Sequence, residues 1–459
     1  MFRLFPCAER FVSLNDPRQA AAFRFVGCGF DASSGEAQLR YAFDDGAELI
    51  ERIVFPAAPA LDPAHRSAFD AALKLLHLIA GVSYFKAGVP AEIRIENYVI
   101  DRATADLLDE LYLQGLGEFA YQNKLDLRGK IHFPVDAENT TAAVSCNLPR
   151  RSLVPIGGGK DSLVSVELLK QFGEPATAVW VGNSALIAAC AQATDLPTLN
   201  IQRQIAPELF ELNRQGAWNG HIPVTAINSA ILVVAAILYG FDAIVFSNEH
   251  SASSATLEYD GQAINHQWSK SFTFERRLHV YLQSHVAADL DYFSLLRPLS
   301  ELAVTKRFAQ LMQYHALFSS CNRNFRILGT RPADRWCGQC PKCHFVFLAL
   351  APFCTKPQLM QIFGRNLLDE ESQTAGFDAL LEYRQHKPFE CVGEGRESRA
   401  AMYTLSQRAE WREDAIVQRF AREILPQLDV NELALAPLLQ PATEHLLPVR
   451  LTAVLDASG

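Results

Sequence analysis

Ile156-Gly157-Gly158-Gly159-Lys160-Asp161-Ser162 leaves a short apolar run, residues 153–156, and enters a segment whose Leu163, Val166 and Leu169 recur at helical spacing. A strand that turns through glycines into a helix suits an anion. Lacking Cβ atoms, Gly157, Gly158 and Gly159 let backbone N–H groups turn inward, and the first helical turn adds its partial positive charge. Lys160 adds a full charge, Ser162 a hydroxyl donor, and Asp161 a carboxylate suited to Mg²⁺. The loop departs from the Walker pattern, which places Ser or Thr directly after the lysine; here Asp161 intervenes.

Outward from this loop, strand-like and helix-like segments alternate. Residues 153–156, 176–181, 198–201 and 243–246 read as strands, with helices through Leu169, from Ser184 and near Ala226. Such alternation predicts an α/β domain, a parallel sheet with helices on both faces, whose ligand binds at the carboxyl ends of strands. On the N-terminal side the period is different. Phe23 and Phe25, then Leu39, Tyr41 and Phe43, alternate about a turn at 31–35, which predicts an antiparallel hairpin. Phe69, Leu73, Leu76 and Ala80 then follow helical spacing, and a second amphipathic run covers 104–125. The expected organisation is an α+β domain over 1–148 with a linker at 135–151, the α/β domain over 149–352, and a helical region over 353–459.

A chain of 459 residues, 49% hydrophobic and 20% charged, buries a core of ordinary globular kind. Its formal net charge of −9 opposes a nucleic-acid partner and leaves a small molecule as the natural ligand. Glu9 and Arg10 interrupt the first apolar residues, so no signal peptide is expected and the protein reads as cytoplasmic. The apolar stretch 226–246 contains Asn228, Gly240 and Asp242, which fits a buried helix and a strand better than a membrane span.

Of the ten cysteines, Cys7, Cys28, Cys146, Cys190, Cys354 and Cys391 are scattered, whereas Cys321, Cys337, Cys340 and Cys343 are grouped. Two overlapping Cys-x-x-Cys units with a fourth cysteine upstream predict a closed, structural Zn²⁺ site, with His344 as a substitute for Cys321. Residues 265–271, containing His266, Trp268 and Lys270, crowd polar groups into a loop expected to face substrate, and His221 is a weaker candidate of the same kind. Ser247, Asn248 and Glu249 follow the last strand, where Glu249 is placed to meet Mg²⁺ or substrate. Arg297, Lys306 and Arg307 are candidate anion contacts, and Glu390 with Cys391 forms a candidate acid/base pair.

The loop closely resembles the Ser-Gly-Gly-x-Asp-Ser signature of the PP-loop, or N-type, ATP pyrophosphatases, with Gly157 where many members carry Ser. That resemblance implies ATP cleavage between the α and β phosphates and adenylation of a substrate, with Val181 near the adenine. The cysteine cluster is similar to the zinc knuckle of the queuosine-precursor branch. Over nearly its whole length the chain resembles the family of UDP-N-acetylmuramoyl-L-alanyl-L-glutamate epimerases of an alternative peptidoglycan pathway. The resemblance rests on residues 23–43, 81–85, 157–162, 265–271, 337–343 and 389–393. It implies an ATP- and Mg²⁺-dependent epimerase with structural zinc, for which His266, Lys270, Glu390 and Cys391 are the acid/base candidates, unassigned to faces. A cyano-deazaguanine synthase-like or RNA-modifying PP-loop enzyme, or a non-catalytic nucleotide sensor, are the alternatives.

Overall fold

The computed structural model describes residues 16–136, 142–325 and 334–454. Cys7 and the N-terminal segment read for a signal peptide lie outside the described residues.

Eleven strands are present among the described residues: β1 (Ala22–Asp31), β2 (Glu36–Phe43), β3 (Leu49–Val54), β4 (Glu92–Ile95), β5 (Ser152–Pro155), β6 (Ala176–Val181), β7 (Thr198–Gln204), β8 (Ala243–Phe246), β9 (Leu257–Tyr259), β10 (Gln262–Ile264) and β11 (Asp291–Ser294). Nine form one sheet in the order β11-β8-β5-β6-β7-β3-β2-β1-β4. From β11 through β7 neighbouring strands are parallel, as the βα alternation predicts. The hairpin expected at 23–43 is β1 and β2, paired antiparallel with Phe23 opposite Phe43.

The expected division near residue 148 does not interrupt this sheet. β3 pairs antiparallel with β7, Arg52 opposite Gln204 and Val54 opposite Gln202. Across the joint the fully buried Glu51 receives Arg203 Nε at 2.7 Å. Strands from before and after residue 148 thus share one layer, and the local pattern of each half carries no trace of the pairing because its partners lie far apart in sequence.

Alternation along the strands sends side chains to two cores. Leu153, Val179, Ile244 and Phe246 join the core that contains Phe23, Tyr41 and the helices Arg66–Ala80 and Val224–Tyr239. Val154, Ala178, Trp180 and Val245 join the other, built with the helix Pro341–Leu350 and short helices beyond residue 353. Helices therefore cover both faces. The apolar helix Val224–Tyr239 is almost wholly buried and stops at Gly240, whose φ of +76° closes it in the left-handed region. Among the described residues, Pro63–Phe85 is long and apolar enough to cross a bilayer, but 83% of its most apolar 18-residue stretch is buried inside the fold.

Candidate active site

From β5 the chain proceeds outward through β6 and β7, then returns to lay β8 and β11 on the other side of β5. The gap between β5 and β8 is therefore the topological switch point, where ligands of open α/β sheets bind at the carboxyl ends. The glycine loop follows β5 and leads into the helix Lys160–Gln171, whose N-cap Gly159 makes no side-chain capping bond. The N–H groups of its first turn are thereby free of a side-chain acceptor, which favours an anionic ligand.

A cleft of about 300 Å³ opens there. Gly157, Gly159, Asp161 and Ser162 line it, with Asn248 from the end of β8, and so do Lys270, Asn322, Lys342 and Cys391. Geometry explains the glycines one at a time. A Cβ on Gly157 would meet nothing within 4 Å, whereas on Gly158, at φ +80°, it would fall 2.7 Å from Leu186 Cδ2, and on Gly159 2.7 Å from Ser320 Oγ. Gly158 is further fixed by Ser319, whose N–H donates to its carbonyl at 2.9 Å.

Lys160 does not extend into the cleft. Its side chain is buried, and its ammonium donates to Asp161 and Glu301. Burial opposes its charge, but the two carboxylates outweigh burial and raise its pKa. Burial likewise pushes Glu301 up to about 7 despite Lys160. Burial and then the charge on Asp161 also raise Glu249, which ends buried just past β8. Of these carboxylates Asp161 lines the cleft, where a divalent cation could meet it, whereas Glu249 is absent from the cleft wall. Val181 closes β6 and is absent from the cleft wall described above.

The second half of the site gathers residues far apart in the chain. Lys270 Nζ lies 3.3 Å from Cys391 Sγ. Lys342 donates to the Cys391 carbonyl, and Asn322 to the Glu390 carboxylate. Burial works against a charged Cys391, yet Lys270, His266 and Lys342 outweigh it and hold the thiol well below its usual range. Burial raises Glu390. His266 donates from Nδ1 to Glu118, and His221 lies ring to ring with His266, centroids 4.2 Å apart, its own Nδ1 3.8 Å from Glu118 Oε2. Burial disfavours charge on His266, but Cys391 and Glu118 carry it up to about 9. Burial and then the neighbouring His266 push His221 down to about 3. Sequence reasoning missed Glu118, which looks like any acidic residue of its amphipathic run. Gly115 gives an indirect signal: a Cβ there would lie 2.8 Å from Pro223, and this close approach draws the His221 segment toward Glu118.

Other expectations resolve differently. Trp268 is buried and packs on Phe274, centroids 5.4 Å apart, so the loop around it is anchored in the core while its ends present His266 and Lys270. Arg297 is fully buried and cannot meet a ligand. It binds Glu275 Oε2 at 2.7 Å and the carbonyls of Glu249 at 2.7 Å and Lys270 at 2.6 Å. Lys306 and Arg307 line a separate hollow with Leu439 and Pro441.

The sulfurs of Cys321, Cys337, Cys340 and Cys343 lie within 4.8 Å of one another, with Cys337–Cys343 at 3.7 Å, Cys340–Cys343 at 3.5 Å and Cys321–Cys340 at 3.9 Å. A tetrahedral ion with Zn–S bonds of about 2.3 Å requires sulfurs about 3.8 Å apart, so the four cysteines fit zinc. His344 is outside the group; its Nε2 faces Gln373 Oε1 at 2.9 Å. Cys321 adjoins Asn322, and Lys342 lies between Cys340 and Cys343, so this cluster supports two residues of the cleft wall.

Fold and cleft together define an α/β protein with a glycine loop at a helix N-terminus, beside a cluster of Cys, Lys and His side chains. Residues 14–295 match the MurL N-terminal domain and 317–435 the MurL C-terminal domain. The chain belongs to the MurL family. It is similar to UDP-N-acetyl-alpha-D-muramoyl-L-alanyl-L-glutamate epimerase of Xanthomonas oryzae pv. oryzae, 60% identical over 95% of this chain and 97% of the relative. The enzymes of the same name from Salinispora tropica and a Micromonospora species are 40% and 39% identical, each over 94% of this chain and over 95% and 97% of the relatives.

Proposed function

We propose that this protein is an ATP-dependent epimerase that adenylates the L-glutamyl end of UDP-N-acetylmuramoyl-L-alanyl-L-glutamate and inverts its α-carbon, releasing AMP and diphosphate. The observation that carries this reading is the meeting of the glycine loop with Lys270 and Cys391 in one cleft. This meeting supports a single cleft in which activation and proton transfer would act on one substrate. The names of the relatives supply the substrate.

The chemistry explains why both sites are needed. Removing the α-proton beside a carboxylate gives an unstabilised dianion, whereas beside an acyl-adenylate the electrons enter a neutral carbonyl. The loop and helix N-terminus would receive the phosphates, and Asp161 with Glu249 would hold Mg²⁺, whose charge would offset that of the phosphates. A base then removes the proton, an acid returns one to the opposite face, and water releases the D-glutamyl product. His266, Lys270, Glu390 and Cys391 are the available groups, and each such acid or base contributes roughly 10²–10⁴-fold. The four cysteines would hold structural zinc, on the segments that carry Asn322 and Lys342 to the cleft.

Purified protein incubated with Mg-ATP and the UDP-linked dipeptide is expected to yield AMP, pyrophosphate and D-glutamate after hydrolysis. ADP as product would sink the adenylation, and unchanged L-glutamate the epimerase reading.

A further inference from the structure

Glu118, which the proposed chemistry does not use, sits on the short helix Gly117–Asn123 and touches the site twice over. Its carboxylate accepts the Nδ1–H of His266, and one turn later Tyr121 packs on Phe389 with centroids 5.5 Å apart, steadying the segment that carries Glu390 and Cys391. His266 in turn lies against Cys391. Glu118 thus bears on the imidazole that interacts with the thiol, and Lys270 Nζ stands 3.3 Å from the same sulfur; a carboxylate that orients an imidazole beside a thiol is the relation that activates a nucleophile or base.

We propose that Glu118, acting through His266, is the positioning residue that holds Cys391 as the thiolate base removing the α-proton. This rests on the epimerase reading above. Cys391 Sγ takes the proton and the C–H electron pair passes into the acyl carbonyl. A solvent-equilibrated acid protonates the opposite face, and the Cys391 thiol returns its proton to water. With Glu118 accepting from Nδ1, the imidazolium is favoured and its remaining N–H is directed to sulfur. His221, tilted at 40° against the His266 ring, stays neutral beside it. The groups facing Cys391 are Lys270 and His266 from the 265–271 loop, Lys342 from the zinc segment and Glu390 on its own strand of chain. Glu118 is the group that bears on His266 from the opposite side.

The test compares wild type, Glu118→Gln and Glu118→Asp. The rate of Cys391 alkylation by iodoacetamide against pH is read by peptide mass spectrometry, alongside kcat, the KM for ATP and uptake of deuterium from D₂O at the glutamyl α-carbon. In E118Q the alkylation midpoint should rise by at least one pH unit and kcat and deuterium uptake should fall by roughly 10²-fold, the scale of a lost acid/base contribution. The KM for ATP should hold, and E118D should restore part of both effects. An E118Q profile superimposable on wild type overturns the inference. So does loss of one equivalent of bound metal in E118Q, because the Glu118, His221 and His266 ligand atoms, all within 4.8 Å of one another, would then be serving a cation. Absence of AMP and deuterium uptake in the wild type would sink the epimerase reading alone, since the alkylation profile still reports on the Glu118–His266–Cys391 grouping.

Discussion

Arg297→Met offers a stringent test of how the site is held. The guanidinium is fully buried and donates to Glu275 Oε2 from Nε at 3.0 Å and Nη2 at 2.7 Å, and to the carbonyls of Glu249 and Lys270. Methionine of similar length leaves the Glu275 carboxylate, 2% exposed, with the Ser294 N–H at 3.0 Å as its remaining hydrogen-bond donor among the described residues. Removing one partner of such a pair costs about 3–5 kcal/mol. The Lys270 carbonyl, left without the guanidinium, adds about 1–3 kcal/mol, while the Glu249 carbonyl keeps the Ala252 N–H at 3.3 Å. Urea unfolding followed by circular dichroism should therefore show a loss of at least about 4 kcal/mol, among the large single-site effects. In R297M/E275Q the buried charge is gone and the amide oxygen can still accept from Ser294, so about 2 kcal/mol or more should return. The double variant should still have reduced kcat, because the Glu249 and Lys270 carbonyls still lack the guanidinium that ties them together. A loss below about 1 kcal/mol in R297M, the range of an exposed pair, would refute the reasoning.

Further outcomes are expected. Gly157→Ser should leave stability and the KM for ATP within a small factor of wild type, because a Cβ there meets nothing, while Gly158→Ala should be destabilised and bind ATP poorly; equal behaviour of the two would contradict the loop geometry. Metal analysis should find one zinc per chain, lost with much of the thermal stability in C337S/C340S, and retention of zinc in that variant would rule out these ligands. The histidine pair sets a pH dependence of stability. His266, raised to about 9, stabilises the fold fully below its unfolded value near 6.5 and loses that contribution as pH rises through about 9. His221, lowered to about 3, contributes above about 6.5 and loses that contribution as pH falls toward 3. The stability gap between wild type and H266N should thus shrink from neutral to alkaline pH, and a widening gap would reverse the assignment.

Where structure follows from neighbours in the chain, the sequence was readable. The strand at 176–181 coincides with β6, and Ser184 caps the next helix as expected. The cysteine spacing placed four sulfurs together because two overlapping Cys-x-x-Cys units and a helix start leave them little choice. What depends on distant contacts was not readable. Lys160 turns inward because Glu301 awaits it, and Arg297 read as an anion contact for a ligand because nothing local announces Glu275. Cys391, His266 and Glu118 come from three separated segments, so their grouping has no periodic signature.

The β3–β7 joint bears on how this chain can be taken apart. Severed at residue 148, each piece would expose the open edge of a strand, unpaired N–H and C=O groups flanked by a newly unpartnered Glu51 or Arg203. Such edges recruit other chains. Fragments expressed alone are expected to aggregate, whereas the two pieces produced together have a template for reassembly. Any chimera that exchanges the glycine-loop half between relatives must carry its matching hairpin half with it.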